Sequence, residues 1–132
     1  MAATDPPAEG DTHTYERTFT SEDVRAFADV SGDRQAIHTE PDEDGRLVVH
    51  GLLTATLPTK IGGDLDVLAS GMEFAFHRPV HTGEAVVCEW TNETVDERDD
   101  RYDLAVAVEC TVDGAVVMTG RVEGLVWKDG ES

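Results

Sequence analysis

Along this chain the spacing of apolar residues shifts from that of a strand to that of helices and back again. In "THTYERTFT", residues 12–20, β-branched and aromatic side chains predict a first strand. A helical pattern follows. Thr20 to Asp23 has the form of a capping box, Val24, Phe27 and Ala28 recur at i, i+3 and i+4, and Ser31-Gly32 ends the run. From Val48 to Ile61, "VVHGLLTATLPTKI" is mostly apolar and nearly uncharged. It predicts one buried helix, kinked or shortened near its end by Pro58 and stopped by Gly62-Gly63. Beyond Asp66 the runs "VLASGMEFAFHRPV", "EAVVCEWTNETV", "YDLAVAVECTV" and "AVVMTGRVEGLVW" read as strands, separated by the turn signals "HTG", "DERDD" and "DG". Asp113-Gly114 predicts a tight hairpin.

Two helices followed by four strands joined by short turns imply an α+β arrangement, an antiparallel sheet with a helix on one face. The central helix is apolar nearly all round, so either the sheet wraps it or a second subunit completes its burial. Together with the edges that a lone sheet exposes, this leads us to expect a homodimer. Residues 1–12, rich in Pro, Gly and acids, are expected to form a flexible acidic tail, with a single domain over residues 13–132.

Charge narrows the function. Twenty-eight Asp and Glu face ten Lys and Arg, a net charge of -18 that excludes a nucleic-acid binder. A hydrophobic content of 39% in well-patterned segments argues against disorder, so the acids are read as a solvated surface suited to a salt-rich cytoplasm. Salt at molar strength shortens the screening length to about 3 Å and removes the self-repulsion. The melting temperature should therefore rise between tens of millimolar and molar salt; equal values would sink the salt-adaptation reading. No apolar run reaches membrane-spanning length and "MAATDPPAEGDT" has no signal-peptide character, so a soluble cytoplasmic protein is expected. Cys88 and Cys110 form no CxxC pair and read as buried thiols, and the five histidines lack zinc-site spacing, so no metal site is expected.

Candidate chemistry lies in "SGDRQAIHTE", residues 31–40, where Asp33 and His38 stand five positions apart after the first helix. An acid and an imidazole can exchange protons with one small substrate, or Asp33 can simply hydrogen-bond the amides of a helix exit.

"FTSEDVRAFADVSGDRQAIH", "VVHGLL" and "SGMEFAFHRPVHTGE", in this order, resemble the MaoC-like, R-specific enoyl-CoA hydratase family of the hotdog superfamily, from about Phe19 to the last strand. The chain departs from the usual motif at Gln35-Ala36, where the family has Asn-Pro. The resemblance implies a hotdog fold, an antiparallel sheet wrapped around a long central helix, in a dimer. It implies an acyl-CoA thioester as substrate, no cofactor and no nucleic-acid or membrane partner. By the same carry-over, Asp33 and His38 activate water and move protons, and the Gly51 N–H receives the thioester oxygen. His50 and Arg78 are candidate substrate-binding residues: His50 orients the loop or caps the helix, and Arg78 is placed to reach a phosphate of coenzyme A. The implied activity is reversible hydration of trans-2-enoyl-CoA to the (R)-3-hydroxyacyl-CoA. A hotdog acyl-CoA thioesterase and a non-catalytic acyl-CoA-binding module remain as alternatives. The first is disfavoured because "HGLLTATLPTKIG" has no Asp or Glu.

Overall fold

A computed structural model describes residues 5–129 of the chain. Its elements are β1 (Thr12–Thr18), α1 (Ser21–Ser31), α2 (Ala36–Thr39), β2 (Val48–Val49), α3 (Gly51–Thr54), α4 (Thr56–Asp64), β3 (Leu68–Phe76), β4 (Val80–His81), β5 (Ala85–Glu97), β6 (Arg101–Val112) and β7 (Ala115–Trp127). Five strands pair antiparallel in the order β1-β5-β6-β7-β3, and β2 pairs with β4 in a separate small sheet. The α4 helix lies against β1 and β5 and also touches β3 at the opposite edge, so the sheet curls around it. This is the α+β arrangement expected from the order of elements, and the curled sheet is the hotdog form that the resemblance implied.

Alternation explains the core. Val86, Cys88, Trp90 and Asn92 on β5 all point inward and are buried, as do Val106, Val108, Cys110 and Val112 on β6. Asn92 is the polar member of that row, and its Oδ1 accepts a hydrogen bond from the buried Trp90 Nε1–H at 3.0 Å. Cys88 and Cys110 face each other in register as free, buried thiols, and the neighbouring Cys110 sulfur and burial push the Cys88 thiol up. The Asp113-Gly114 hairpin has positive φ at both residues, 51° and 83°, as a tight turn that follows the sheet twist requires.

α1 follows its sequence signals closely. The Thr20 hydroxyl accepts from the Asp23 amide at 3.1 Å, the Asp23 carboxylate accepts from the Thr20 amide at 2.9 Å, and Gly32 ends the helix at φ 80°.

The single helix expected over Val48 to Ile61 is divided. Val48 and Val49 belong to β2, and the helix breaks at Ala55 into α3 and α4. Pro58 has no N–H to give the Thr54 carbonyl four residues back. A break at Ala55 puts Pro58 in the first turn of α4, where no intrahelical bond is required. Nor do Gly62-Gly63 stop the helix. It runs on to Asp64, and Gly62 lies where a Cβ would come within 3.2 Å of the Trp90 ring, so its role is close packing.

The N-terminal segment expected to be flexible through residue 12 is tied down from Ala8. The Gly10 N–H donates to the Asn92 carbonyl (2.8 Å), the Asn92 N–H donates to the Asp11 carbonyl (2.9 Å), and the Asn92 side-chain amide donates to the Ala8 carbonyl (3.3 Å). The first four residues of that segment lie outside the described residues.

Candidate active site

The turn after α1 sets Asp33. The Ser31 hydroxyl accepts from the Asp33 amide at 3.1 Å, and Asp33 Oδ1 in turn accepts from the Gln35 side-chain amide at 2.9 Å and the Gln35 backbone N–H at 3.3 Å. The Gln35 amide, its backbone N–H and the two nearby imidazoles together hold the Asp33 carboxyl below its ordinary value, with partial desolvation opposing them. Asp33 is therefore an anion at neutral pH. The departure from Asn-Pro thus has a structural use: the longer amide reaches back to the acid, and Ala36 starts the one-turn helix α2.

α2 turns His38 inward, where it is 4% exposed. Its Nδ1 lies 2.7 Å from the Val48 carbonyl on β2. A carbonyl can only accept, so Nδ1 carries the hydrogen, and in the neutral ring Nε2 keeps its lone pair. That Nε2 stands 3.7 Å from Asp33 Oδ2, beyond direct hydrogen bonding; with the ring neutral, two acceptors face each other.

His50 locks the pair in place. Its ring stacks on His38 with centroids 3.6 Å apart and planes 14° apart, and Phe27 packs its edge on the same ring at 4.9 Å. His50 Nε2–H donates to the Asp33 main-chain carbonyl at 2.9 Å, while its buried Nδ1 has no partner among the described residues. β2 is essential to this geometry. By pairing with β4 it delivers Val48 to His38 and His50 to the loop carrying Asp33. Ligand atoms of Asp33, His38 and His50 lie within 4.8 Å of one another. A zinc ion, however, sits about 2.0–2.1 Å from an imidazole nitrogen, near the ring plane, and two nearly parallel stacked rings cannot both meet one ion that way.

These groups open on a cavity of about 670 Å³, also lined by Gly51, Leu52, Phe76 and Arg78. Gly51 and Leu52 are the first residues of α3, so their amides have no intrahelical acceptor. The Phe76 ring lies over Gly51 so closely that a Cβ there would come within 2.8 Å of it. Ile37, Leu52 and Phe76, between 52% and 65% exposed, give the mouth an apolar rim.

Asp33, His38, His50 and Gly51, singled out in the sequence, thus converge, and Arg78 lines the same cavity. His77, beside Arg78, is instead occupied by the Thr119 hydroxyl at 2.7 Å. Gln35, Phe27 and Phe76 were not anticipated. Phe76 had one available signal, the "FAF" alternation that puts Phe74 and Phe76 on the same strand face.

A sheet curled around a helix, with an acid, an imidazole and unpaired helix-start amides in one cleft, defines a hotdog domain built for small-molecule chemistry. The chain belongs to the MaoC-like dehydratase family: residues 3–114 match the family described as MaoC like domain. It is 30% identical over 121 residues to a 3-hydroxybutyryl-CoA dehydratase of Methylorubrum extorquens, a match covering 84% of this chain and 75% of that protein. Among solved structures, a protein of Archaeoglobus fulgidus is 26% identical with a TM-score of 0.78, covering 95% of this chain and 82% of that one. An (R)-hydratase from A. caviae involved in PHA biosynthesis is 24% identical with a TM-score of 0.80, covering 93% and 98% respectively. Among the described residues no helix is long and apolar enough to cross a membrane.

Proposed function

We propose that the protein is an (R)-specific enoyl-CoA hydratase, working equally as the reverse 3-hydroxyacyl-CoA dehydratase. The observation that supports this best is the 3.7 Å gap between Asp33 Oδ2 and His38 Nε2. Two acceptors at that separation suit one water, which donates a hydrogen to each and directs its oxygen lone pair at C3 of the enoyl group. As the C3–O bond forms, one water proton passes to the Asp33–His38 pair and is handed on from there to C2, while the C2–C3 double bond becomes single and the water's other hydrogen stays on the new hydroxyl. Negative charge gathers on the thioester oxygen meanwhile, and the free Gly51 N–H is the donor for it. His50 fixes the positions of both proton-handling groups and need not touch substrate. The single carboxylate on α3 and α4, Asp64, is bound by Lys60, so these helices offer no free acid for a thioesterase.

A panel of trans-2-enoyl-CoAs assayed in molar salt, read by loss of enoyl absorbance and by the chirality of the product, tests this. We expect (R)-3-hydroxyacyl-CoA from at least one member. No hydration of any member, with no dehydration of the (R)-3-hydroxyacyl-CoAs, would overturn the assignment.

The protein is further proposed to be a homodimer. β3 is a sheet edge, and its Leu68, Met72 and Phe76 are each at least half exposed. An unpaired edge with apolar side chains is covered most simply by its own symmetry mate. Light scattering at micromolar concentration in molar salt should give twice the chain mass, and Met72→Lys should shift it toward the monomer. A monomeric wild type would count against this.

A further inference from the structure

One polar group in the cavity has no task in the hydration step. Behind the exposed rim the lining is closed and apolar, with Val49, Val80, Val117 and Met118 each at most 4% exposed. Thr54 stands in the same lining, 2% exposed, and its hydroxyl has no hydrogen-bond partner among the described residues. The other threonines of α3 and α4 are satisfied by their own helices. The Thr59 hydroxyl donates to the Ala55 carbonyl at 2.9 Å, and the Thr56 hydroxyl to the Leu53 carbonyl. The carbonyl that Thr54 would use in this way is that of His50, four residues back, and the Leu53 and Thr54 amides already occupy it at 3.0 Å each. Nor does the hydroxyl meet His50 Nδ1, which lacks a partner of its own. The Ser31 hydroxyl and the His77 ring, which also line the cavity, are by contrast held by the Asp33 amide and the Thr119 hydroxyl.

The position of that hydroxyl gives it a use. Thr54 follows Gly51 by three residues on α3, about one turn, and a helical Cβ leans toward the N-terminus, so the side chain stands close above the Gly51 N–H. A thioester whose oxygen meets that N–H and whose C3 faces Asp33 and His38 sends its carrier out over the exposed rim. Its carbons beyond C3 are left to the buried lining. A hydrocarbon tail there displaces water from the Thr54 hydroxyl and returns no hydrogen bond, and a buried polar group stripped of its partner is costly. A hydroxyl on the tail both donates and accepts, as Thr54 does. A carboxylate on the tail is poorly matched, because Arg78, the cation among the lining residues, is exposed and Asp33 is already an anion.

We propose that Thr54 selects the acyl group, the preferred substrate being a thioester with a hydroxyl on one of the carbons beyond C3, hydrogen-bonded to Thr54 Oγ1; this rests on the hydratase reading of the cavity. Sites that hydrogen-bond a substrate hydroxyl discriminate against the analogue without it, because the protein group is then left unpaired. The selection is therefore made twice, by the bond gained with the hydroxylated chain and by the partner lost with the hydrocarbon one.

The test compares trans-2-hexenoyl-CoA with its 4-hydroxy, 5-hydroxy and 6-hydroxy derivatives at one salt concentration. Three proteins are assayed: wild type, Thr54→Val, which keeps the branched shape without the hydroxyl, and Thr54→Ser, which keeps the hydroxyl. For one hydroxylated member wild type should show a kcat/KM about tenfold above that of the parent, the value of one hydrogen bond. Thr54→Val should abolish that preference, raising kcat/KM for the parent and lowering it for the hydroxylated chain, and Thr54→Ser should retain part of it. The melting temperature of Thr54→Val should be no lower than that of wild type, since no hydrogen bond of the fold is removed. A wild type that favours the parent over all three derivatives overturns the proposal, as does a preference undiminished in Thr54→Val. If the hydroxyl serves the His50 ring instead, Thr54→Val lowers kcat/KM for all four thioesters alike, which also overturns it. Failure of the hydratase reading shows differently: none of the four is turned over, and the unconsumed thioesters are then titrated by calorimetry. One hydroxylated member should still bind wild type about tenfold more tightly than the parent and lose that advantage in Thr54→Val; equal Kd values on wild type overturn the proposal.

Discussion

Asp33→Asn should lower kcat for a crotonyl-type substrate by at least about a hundredfold, the lower end of what a positioned acid or base contributes. Folding should hardly change, because the Asp33 side chain is 40% exposed and an asparagine oxygen still accepts from Gln35. His38 needs a more careful choice of variant. Its ring is buried, and replacing it with alanine leaves the Val48 carbonyl unpaired, at a cost of about 1–3 kcal/mol. His38→Asn places an amide N–H near the Nδ1 position, keeps that bond and removes the Nε2 lone pair. It should lose a similar factor in kcat while staying folded. The double variant should be little worse than the poorer single one, since groups that act on one water act as a unit. A folded Asp33→Asn protein with near-wild-type kcat would end the assignment.

The pH dependence follows from the sign of the Asp33 shift. Its carboxyl is held below the ordinary value of 3.8, chiefly by the Gln35 side-chain amide. The anion therefore persists as pH falls toward 4, and a loss of activity between pH 5 and 7 does not come from protonating Asp33. In stability terms a depressed carboxyl contributes above its unfolded value, and that contribution disappears as pH falls through the folded one. Gln35→Ala removes the main cause of the depression and should move any Asp33 limb of the pH–rate profile upward.

Local signals foretold local structure. The capping box at Thr20 and Asp23, the glycine stop at Gly32 and the Asp113-Gly114 turn are each decided by a few adjacent residues, and all appear where the sequence puts them. The division of the central helix is not legible locally, because it depends on a bond that Pro58 cannot make, and because Val48-Val49 are drawn into β2 by the distant partners His81 and Val80. The site shows the same split. Asp33 and His38 are recognisable by type and spacing. Nothing in their spacing shows that His50 stacks on one and holds the main chain of the other, since that contact arises only once β2 pairs with β4. Gln35 shows in the sequence only as a departure from Asn-Pro, because an amide two residues from an acid has no stated direction until the turn is formed.

Gly51 carries two explanations, which substitution separates. A Cβ at this position would come within 2.8 Å of the Phe76 ring, so glycine suits the packing; it also leaves the α3 amide open to a thioester oxygen. Gly51→Ala should lower the melting temperature if the ring holds its place, by an amount equivalent to about 1–3 kcal/mol of overpacking. Phe76 is 53% exposed at the end of a strand and has room to swing, so the loss falls at the low end of that range if it does. Pairing the change with Phe76→Ala removes the clash in either case. The two roles now predict different kinetics. If packing is the whole requirement, the double variant should hydrate as well as Phe76→Ala alone. If the thioester must approach the Gly51 N–H, the added methyl stands in its path even without the ring, and kcat/KM should stay down by about a hundredfold in a protein of recovered stability. The measurement is kcat/KM beside melting temperature for Gly51→Ala, Phe76→Ala and the double variant. Hydration by the double variant equal to that of Phe76→Ala would remove Gly51 from the oxygen-binding role and leave it a packing glycine.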